Sequence, residues 1–164
     1  MGHIWLIGMM GTGKTTVGAI IAERLDMRVI DTDAEVMERS GKTIPELFDD
    51  SEATFRDWES AVIADIAAGP PAVVATGGGA ILDPANVERM RTSGVRILLE
   101  ADASTIEARG AANGERPLLR RSDDIAEINA GRRSRYRDAA DHVVDTSGKD
   151  VGVVADEVVR CVST

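Results

Sequence analysis

Apolar residues fall along this chain in two rhythms. Ile4-Trp5-Leu6-Ile7, Val29-Ile30, Ala72-Val73-Val74-Ala75, Val95–Leu99 and His142-Val143-Val144 are short continuous runs. Runs of this kind, rich in β-branched residues, predict strands. Between them the apolar positions step by three and four. Val17, Ile20, Ile21 and Leu25 predict a helix that starts near Lys14. Phe55, Trp58, Val62 and Ile66 predict a longer amphipathic helix, Ile106 and Arg109 mark another, and Val151, Val154, Val158 and Val162 make the inner stripe of a last one. Thr43-Ile44-Pro45-Glu46 reads as a capping box with proline near the first turn, so a short helix starts there. Asp83-Pro84 reads as an N-cap and a first helical residue. Strands alternating with helices predict an α/β three-layer sandwich, a central five-stranded parallel sheet with helices on both faces. In such sheets ligands bind at the carboxyl ends of the strands.

One stretch breaks the rhythm. Residues 110–124 are rich in arginine, glycine and aspartate, with little apolar periodicity beyond Leu118-Leu119. A polar segment this long inside a compact domain is either disordered or functional. The functional reading is a mobile lid that covers a reactive ligand and excludes water. The remaining pattern has no linker or repeat, so 1–164 is expected to be a single domain with 110–124 as its lid.

Composition narrows the partners. The chain has 164 residues, 43% hydrophobic and 29% charged, with a formal net charge of −9. That charge argues against a general nucleic-acid or anionic-membrane surface, because both need a basic face. No apolar run approaches the roughly 20 residues that span a bilayer, and the first strand begins too early to leave room for a signal peptide. The single cysteine, Cys161, excludes an internal disulfide and fits a reducing cytosol. It reads as a small core residue of the last helix, and His3 and His142 lack partners at metal-ligand spacing. A cytoplasmic monomer is expected, without nucleic-acid or membrane partners.

Candidate chemistry begins at Gly8-Met9-Met10-Gly11-Thr12-Gly13-Lys14-Thr15, which fits Gly-x4-Gly-Lys-[Ser/Thr] directly after a strand and before a helix. That context makes the string a phosphate-binding P-loop. Its glycines let backbone N–H groups converge on an anion, and the helix start adds the positive end of its dipole. Lys14 reaches the outer phosphates and the Thr15 hydroxyl can ligate Mg²⁺. Asp31 and Asp33 stand two apart at the end of the second strand and so point the same way. Either they divide the labour, one holding Mg²⁺ and the other a substrate hydroxyl, or they cap a helix. Arg56 and Glu59 are three apart on one helix and can pair. Gly77-Gly78-Gly79 after a strand either lets a ligand approach the backbone closely or makes a flexible turn. Arg116 lies in the polar segment, where its planar fork suits phosphate oxygens. Arg132, Arg133, Arg135 and Arg137 surround Tyr136, and a cluster so basic in an acidic chain suits an anionic ligand.

Together these residues resemble shikimate kinase, a small family of P-loop kinases. The resemblance spans nearly the whole chain: the P-loop with Thr16, Asp31-Thr32-Asp33, Phe55-Arg56 with Glu59, Gly77-Gly78-Gly79, Arg116-Pro117-Leu118-Leu119, and an arginine four before Tyr136. It implies a P-loop kinase fold and phosphoryl transfer from ATP to the 3-hydroxyl of shikimate. It implies that Gly11, Thr12, Gly13, Lys14, Thr15 and Thr16 bind the ATP phosphates, and that Thr15 and Asp31 hold Mg²⁺. Arg109 would stack on adenine, with Lys149 nearby, and Arg116 would be the lid arginine. Asp33, Arg56, Gly77, Gly78, Gly79 and Arg132 would bind shikimate, the two arginines meeting its carboxylate. Lys14, Asp33 and Arg116 would carry the chemistry. The family often shows Arg-x-Pro-Leu-Tyr where this chain has Arg132-Arg133-Ser134-Arg135-Tyr136, so Arg133 and Arg135 stand as alternatives to Arg132. Val151 stands where the family presents proline to adenine. Two other readings compete: a different small-metabolite P-loop kinase such as a gluconate kinase, and a non-catalytic nucleotide-binding module.

Overall fold

A computed structural model describes the backbone of residues 1–112 and 122–164. Five strands, β1 (His3–Ile7), β2 (Arg28–Asp31), β3 (Ala72–Ala75), β4 (Gly94–Glu100) and β5 (His142–Asp145), form one parallel sheet in the order β2-β3-β1-β4-β5. The helices are α1 (Lys14–Leu25), α2 (Thr32–Ser40), α3 (Ile44–Asp50), α4 (Glu52–Ala68), α5 (Pro84–Ser93), α6 (Ala103–Ala112), α7 (Ser122–Ala139) and α8 (Val151–Val162).

Alternation along the central strands divides the core in two. Ile4 and Leu6 of β1 face a cluster with Val17 and Ile21 of α1 and Val154 and Val158 of α8. Trp5 and Ile7 face the opposite cluster, with Val36, Leu47, Phe55, Val62, Ile63, Met90 and Ile106. Helices thus cover both faces, and the expected three layers are present. Coverage fades at the edges: Val29 of β2 is 47% exposed and Val143 of β5 is 48% exposed, because each edge strand has a neighbour on one side alone.

The helix starts follow their sequence signals. Thr43 closes the capping box of α3: its hydroxyl accepts from the Glu46 N–H, while the Glu46 carboxylate accepts from the Thr43 N–H. Asp83 caps α5 by accepting from the Ala85 N–H. Three elements differ from the pattern reading. Helix α2 begins at Thr32, directly on the end of β2, so Asp33 belongs to a helical first turn and not to a strand end. Val151 opens α8 but is 38% exposed; the buried stripe is Val154, Ala155 and Val158. The polar stretch 110–124 has helical ends, closing α6 at Ala112 and opening α7 at Ser122.

Topology creates the site. From β1 the chain passes into α1 on one face of the sheet, and from β3 it passes toward α5 on the other. The carboxyl ends of β1 and β3, adjacent in the sheet, therefore diverge and leave a crevice between them. Thr76 ties the two ends together, donating to the Leu6 carbonyl from its N–H (3.1 Å) and from its hydroxyl (2.9 Å).

Candidate active site

The loop after β1 is shaped by glycine. Gly11 (φ +87) and Gly13 (φ +94) occupy left-handed conformations that side-chain-bearing residues rarely adopt. Gly13 is the N-cap of α1, where no side chain caps the helix and no acidic residue stands in the first turn. By contrast α2, α3, α4 and α5 are each capped by a side chain. The first N–H groups of α1 thus keep their donors and their dipole for an anion. Lys14 is buried along the loop, its ammonium donating to the Gly8 (2.7 Å) and Met9 (2.9 Å) carbonyls. Thr12 turns inward, its hydroxyl donating to the Met9 carbonyl. Arg109 bridges from α6, donating to the Gly11 carbonyl (3.1 Å) and to the side chain and carbonyl of Thr146 (3.2 and 3.3 Å).

Asp31 serves two elements at once. Its Oδ1 accepts the N–H groups of Asp33 and Ala34 and so caps α2, while its Oδ2 accepts the Thr15 hydroxyl at 2.7 Å. The cap reading of this aspartate thus holds on Oδ1, while its other oxygen faces Thr15 at the cleft. Asp33, one helical step on, lines the same cleft. Burial pushes its carboxyl above the ordinary value, Asp31 adds to the rise, and Lys14 and Arg56 oppose it.

Opposite the P-loop, the three glycines after β3 face different neighbours, and Gly77 and Gly79 are pressed by theirs. A methyl group on Gly77 would sit 2.8 Å from both Asp33 Oδ1 and Glu59 Oε2. On Gly78 it would meet Met10 N at 3.4 Å and the Tyr136 hydroxyl at 3.7 Å, ordinary contact distances. On Gly79 it would overlap the Arg56 guanidinium. Gly77 and Gly79 therefore serve close approach, and the groups that approach are the protein's own. Arg56 is held there by Glu59, which accepts its Nη1–H at 2.8 Å and is itself 1% exposed. Burial pushes the Glu59 carboxyl up, against the pull of Arg56. The Phe55 ring lies 5.2 Å from the guanidinium carbon.

One cavity of ≈ 690 Å³ takes in the P-loop, Asp31, Asp33, Gly77, Gly78, Arg109 and Lys149. That volume suits a small-molecule site. Its apolar wall comes from Met37, Ile44, Pro45 and Phe48.

A family model described as "Shikimate kinase" matches residues 10–163. The chain is 39% identical to the shikimate kinase of Ruegeria pomeroyi over 97% of its own length and 84% of that protein's. The chain belongs to the shikimate kinase family. Among solved structures, a shikimate kinase from Acinetobacter baumannii in complex with shikimate superposes with a TM-score of 0.94 at 30% identity, covering 99% of this chain and 93% of that one. A gluconokinase from Sinorhizobium meliloti superposes at 0.62 with 18% identity, covering 99% and 94% of the two chains, a likeness of fold alone.

Most positions that the family resemblance named converge on this crevice. Gly11, Thr12, Gly13, Lys14, Thr15, Thr16, Asp31, Asp33, Gly77, Gly78, Arg109, Lys149 and Val151 line the cavity. Gly79 and Arg56 lie against each other beside it. Lys149 is salt-bridged to Glu157 at 2.9 Å. Of the arginines around Tyr136, Arg132 is half-buried and lies beside the Tyr136 hydroxyl, within the electrostatic reach of Glu59. Arg133 and Arg135 are exposed, and Arg137 pairs with Glu100 at 2.8 Å. Arg116 lies outside the described residues. Three contributors escaped the sequence reading. Thr32 accepts the Gly77 N–H at 3.0 Å, Tyr136 donates to the Gly78 carbonyl at 2.6 Å, and the apolar wall comes from α2 and α3. Thr32 carried a signal, standing between the two aspartates; the Tyr136 contact joins residues 58 apart and carried none.

Proposed function

We propose that this chain transfers the γ-phosphoryl group of ATP to the 3-hydroxyl of shikimate, giving shikimate 3-phosphate and ADP on the route to chorismate and the aromatic amino acids. The observation that carries the reading is the convergence, in a member of this family, of an uncapped P-loop helix with an aspartate and a buried-glutamate-held arginine at the adjoining strand end. Phosphoryl transfer needs positioning and charge neutralisation more than covalent help, and the residues divide accordingly.

Gly11, Thr12, Gly13, Lys14, Thr15 and Thr16 hold the phosphates, and Arg109 and Lys149 flank the adenine. Arg116, from a lid spanning about 110–124, closes over the transferring group. Arg56 and Arg132 meet the shikimate carboxylate, and the triple glycine presents its backbone. Asp33 orients the acceptor hydroxyl and takes its proton as the O–P bond forms. Its raised affinity for a proton and the nearby Lys14 and Arg56 suit that role.

Mg²⁺ fits the donors present. The Thr15 hydroxyl and the Asp31 carboxylate meet at 2.7 Å beside the P-loop, both hard oxygen ligands. Among the described residues no cluster of three or more His, Cys, Asp or Glu side chains forms a protein cage for a metal. Mg²⁺ is usually bound through one or two carboxylates together with substrate phosphates. When bound, Mg²⁺ neutralises charge on the phosphate oxygens. The chain acts on small molecules in the cytoplasm as a monomer, without nucleic-acid or membrane partners. No helix among the described residues is long and apolar enough to cross a membrane.

A coupled ADP-release assay with shikimate, with gluconate and with no acceptor tests the reading. Shikimate-dependent release is expected. Release with gluconate alone would replace shikimate by another carboxylated polyol, and no acceptor-dependent release would leave a nucleotide-binding module.

A further inference from the structure

Tyr136 is 2% exposed, and its ring belongs to the core cluster with Ala139 and Ile106. Its hydroxyl donates to the Gly78 carbonyl at 2.6 Å. Gly78 is also where the donor side begins, since a methyl there would come within 3.4 Å of Met10 N and 3.8 Å of the Gly8 carbonyl. One peptide thus touches the P-loop on one side and α7 on the other.

That end of α7 is fastened to the sheet. Arg137 makes a bidentate pair with Glu100 of β4 (2.8 and 2.9 Å). Just beyond the helix, Asp141 takes two bonds from the Arg96 side chain (3.1 and 2.7 Å) and one from its N–H (2.8 Å). Bidentate arginine–carboxylate pairs fix geometry as well as charge, so the hydroxyl of Tyr136 is held in place by β4.

A trans peptide is planar, so its N–H points opposite to its C=O. With the Gly78 carbonyl drawn to Tyr136, the Gly79 N–H is aimed the other way. Among the described residues neither the Gly78 nor the Gly79 N–H has an acceptor. Gly79 is buried, and a buried N–H without a partner is rare. Arg56 lies against Gly79, and Arg132 lies beside the Tyr136 hydroxyl one turn earlier on the same helix. Two unpaired amide donors between two arginines make a setting for an anion.

We propose that Tyr136 is a positioning residue for the acceptor: by gripping the Gly78 carbonyl it aims the Gly79 N–H, in register with Arg56 and Arg132, at the substrate carboxylate. The proposal rests on shikimate being the acceptor. It assigns Tyr136 no contact with the reacting atoms.

Tyr136→Phe removes the hydroxyl and keeps the ring. The test measures kcat and KM for shikimate and ATP separately, shikimate binding by calorimetry without nucleotide, and the melting temperature. We expect shikimate KM and Kd to rise about 3- to 10-fold, the loss of one buried hydrogen bond. KM for ATP should stay within about twofold and Tm within a few degrees. Unchanged shikimate KM and Kd would overturn the proposal. So would equal rises for both substrates or a collapse of Tm, since either would make the hydroxyl a part of the general fold. A wild-type chain inactive on shikimate would instead refute the acceptor assignment, and that result appears before any variant is compared.

Discussion

Replacing Gly79 by alanine places a methyl group on the Arg56 guanidinium. Carbon atoms rest about 3.5–4.0 Å apart, so the overlap requires the guanidinium to retreat by an ångström or more. The backbone has no cause to move, because Gly79 has φ −95, an ordinary conformation for alanine. The group in the way is the far end of a flexible side chain, 24% exposed and able to swing outward. Two losses follow. The bond to Glu59 at 2.8 Å breaks, and a charged hydrogen bond is worth about 1.5–3 kcal/mol. The proposed clamp on the shikimate carboxylate loses a comparable amount, or about 10- to 150-fold in KM for shikimate at 1.4 kcal/mol per decade. The P-loop is not touched, so KM for ATP should stay within about twofold. Shikimate and ATP titrations in the ADP-release assay measure both, and thermal denaturation reports the fold. Unchanged shikimate KM in a stable Gly79→Ala protein would refute the argument, and unfolding would show that the backbone, not Arg56, gives way.

Asp33→Asn should lower kcat about 10²-fold or more while calorimetry still shows ATP binding; full activity would remove Asp33 from the acceptor. Arg109→Ala removes the bonds to Gly11 and Thr146, so KM for ATP should rise about 3- to 10-fold with shikimate KM unaffected. Glu59→Gln tests the buried charge by its pH dependence. Burial raises the folded carboxyl above 4.5, so the folded state binds the proton more tightly and its stability falls as pH rises from about 4.5 through the raised value. Glutamine does not titrate, so urea unfolding should show the stability of the variant relative to wild type increasing as pH rises from about 4.5 through the raised value; a flat or opposite trend would contradict it.

The raised carboxyls of Asp33 and Glu59 follow from burial that no single residue announces. Arg56 and Glu59 were recognisable as a possible pair by their spacing of three. The closeness of Glu59 Oε2 and Asp33 Oδ1 to one point beside Gly77 depends on three separate elements. Both oxygens are buried and without partners among the described residues. Asp33 shows the opposite case, a residue that lines the cleft by a route other than the expected one: the strand-end spacing does not hold, because Asp31 caps α2 at once and turns the chain. Its side chain reaches the cleft from the first helical turn.

The sequence by itself determined what is local. Glycines at positive φ, an uncapped helix start, a capping box and alternating apolar runs depend on neighbours a few residues apart, and all were legible in the chain. So was the set of chemical groups. Tertiary structure decided which of them meet. The order β2-β3-β1-β4-β5 brings the ends of β1 and β3 side by side. It thereby sets Gly77, Gly78 and Gly79 against Asp33, Met10 and Arg56, and lets Tyr136 reach Gly78 from 58 residues away. Such contacts are fixed by how two faces of a sheet are packed, and no spacing along the chain encodes them.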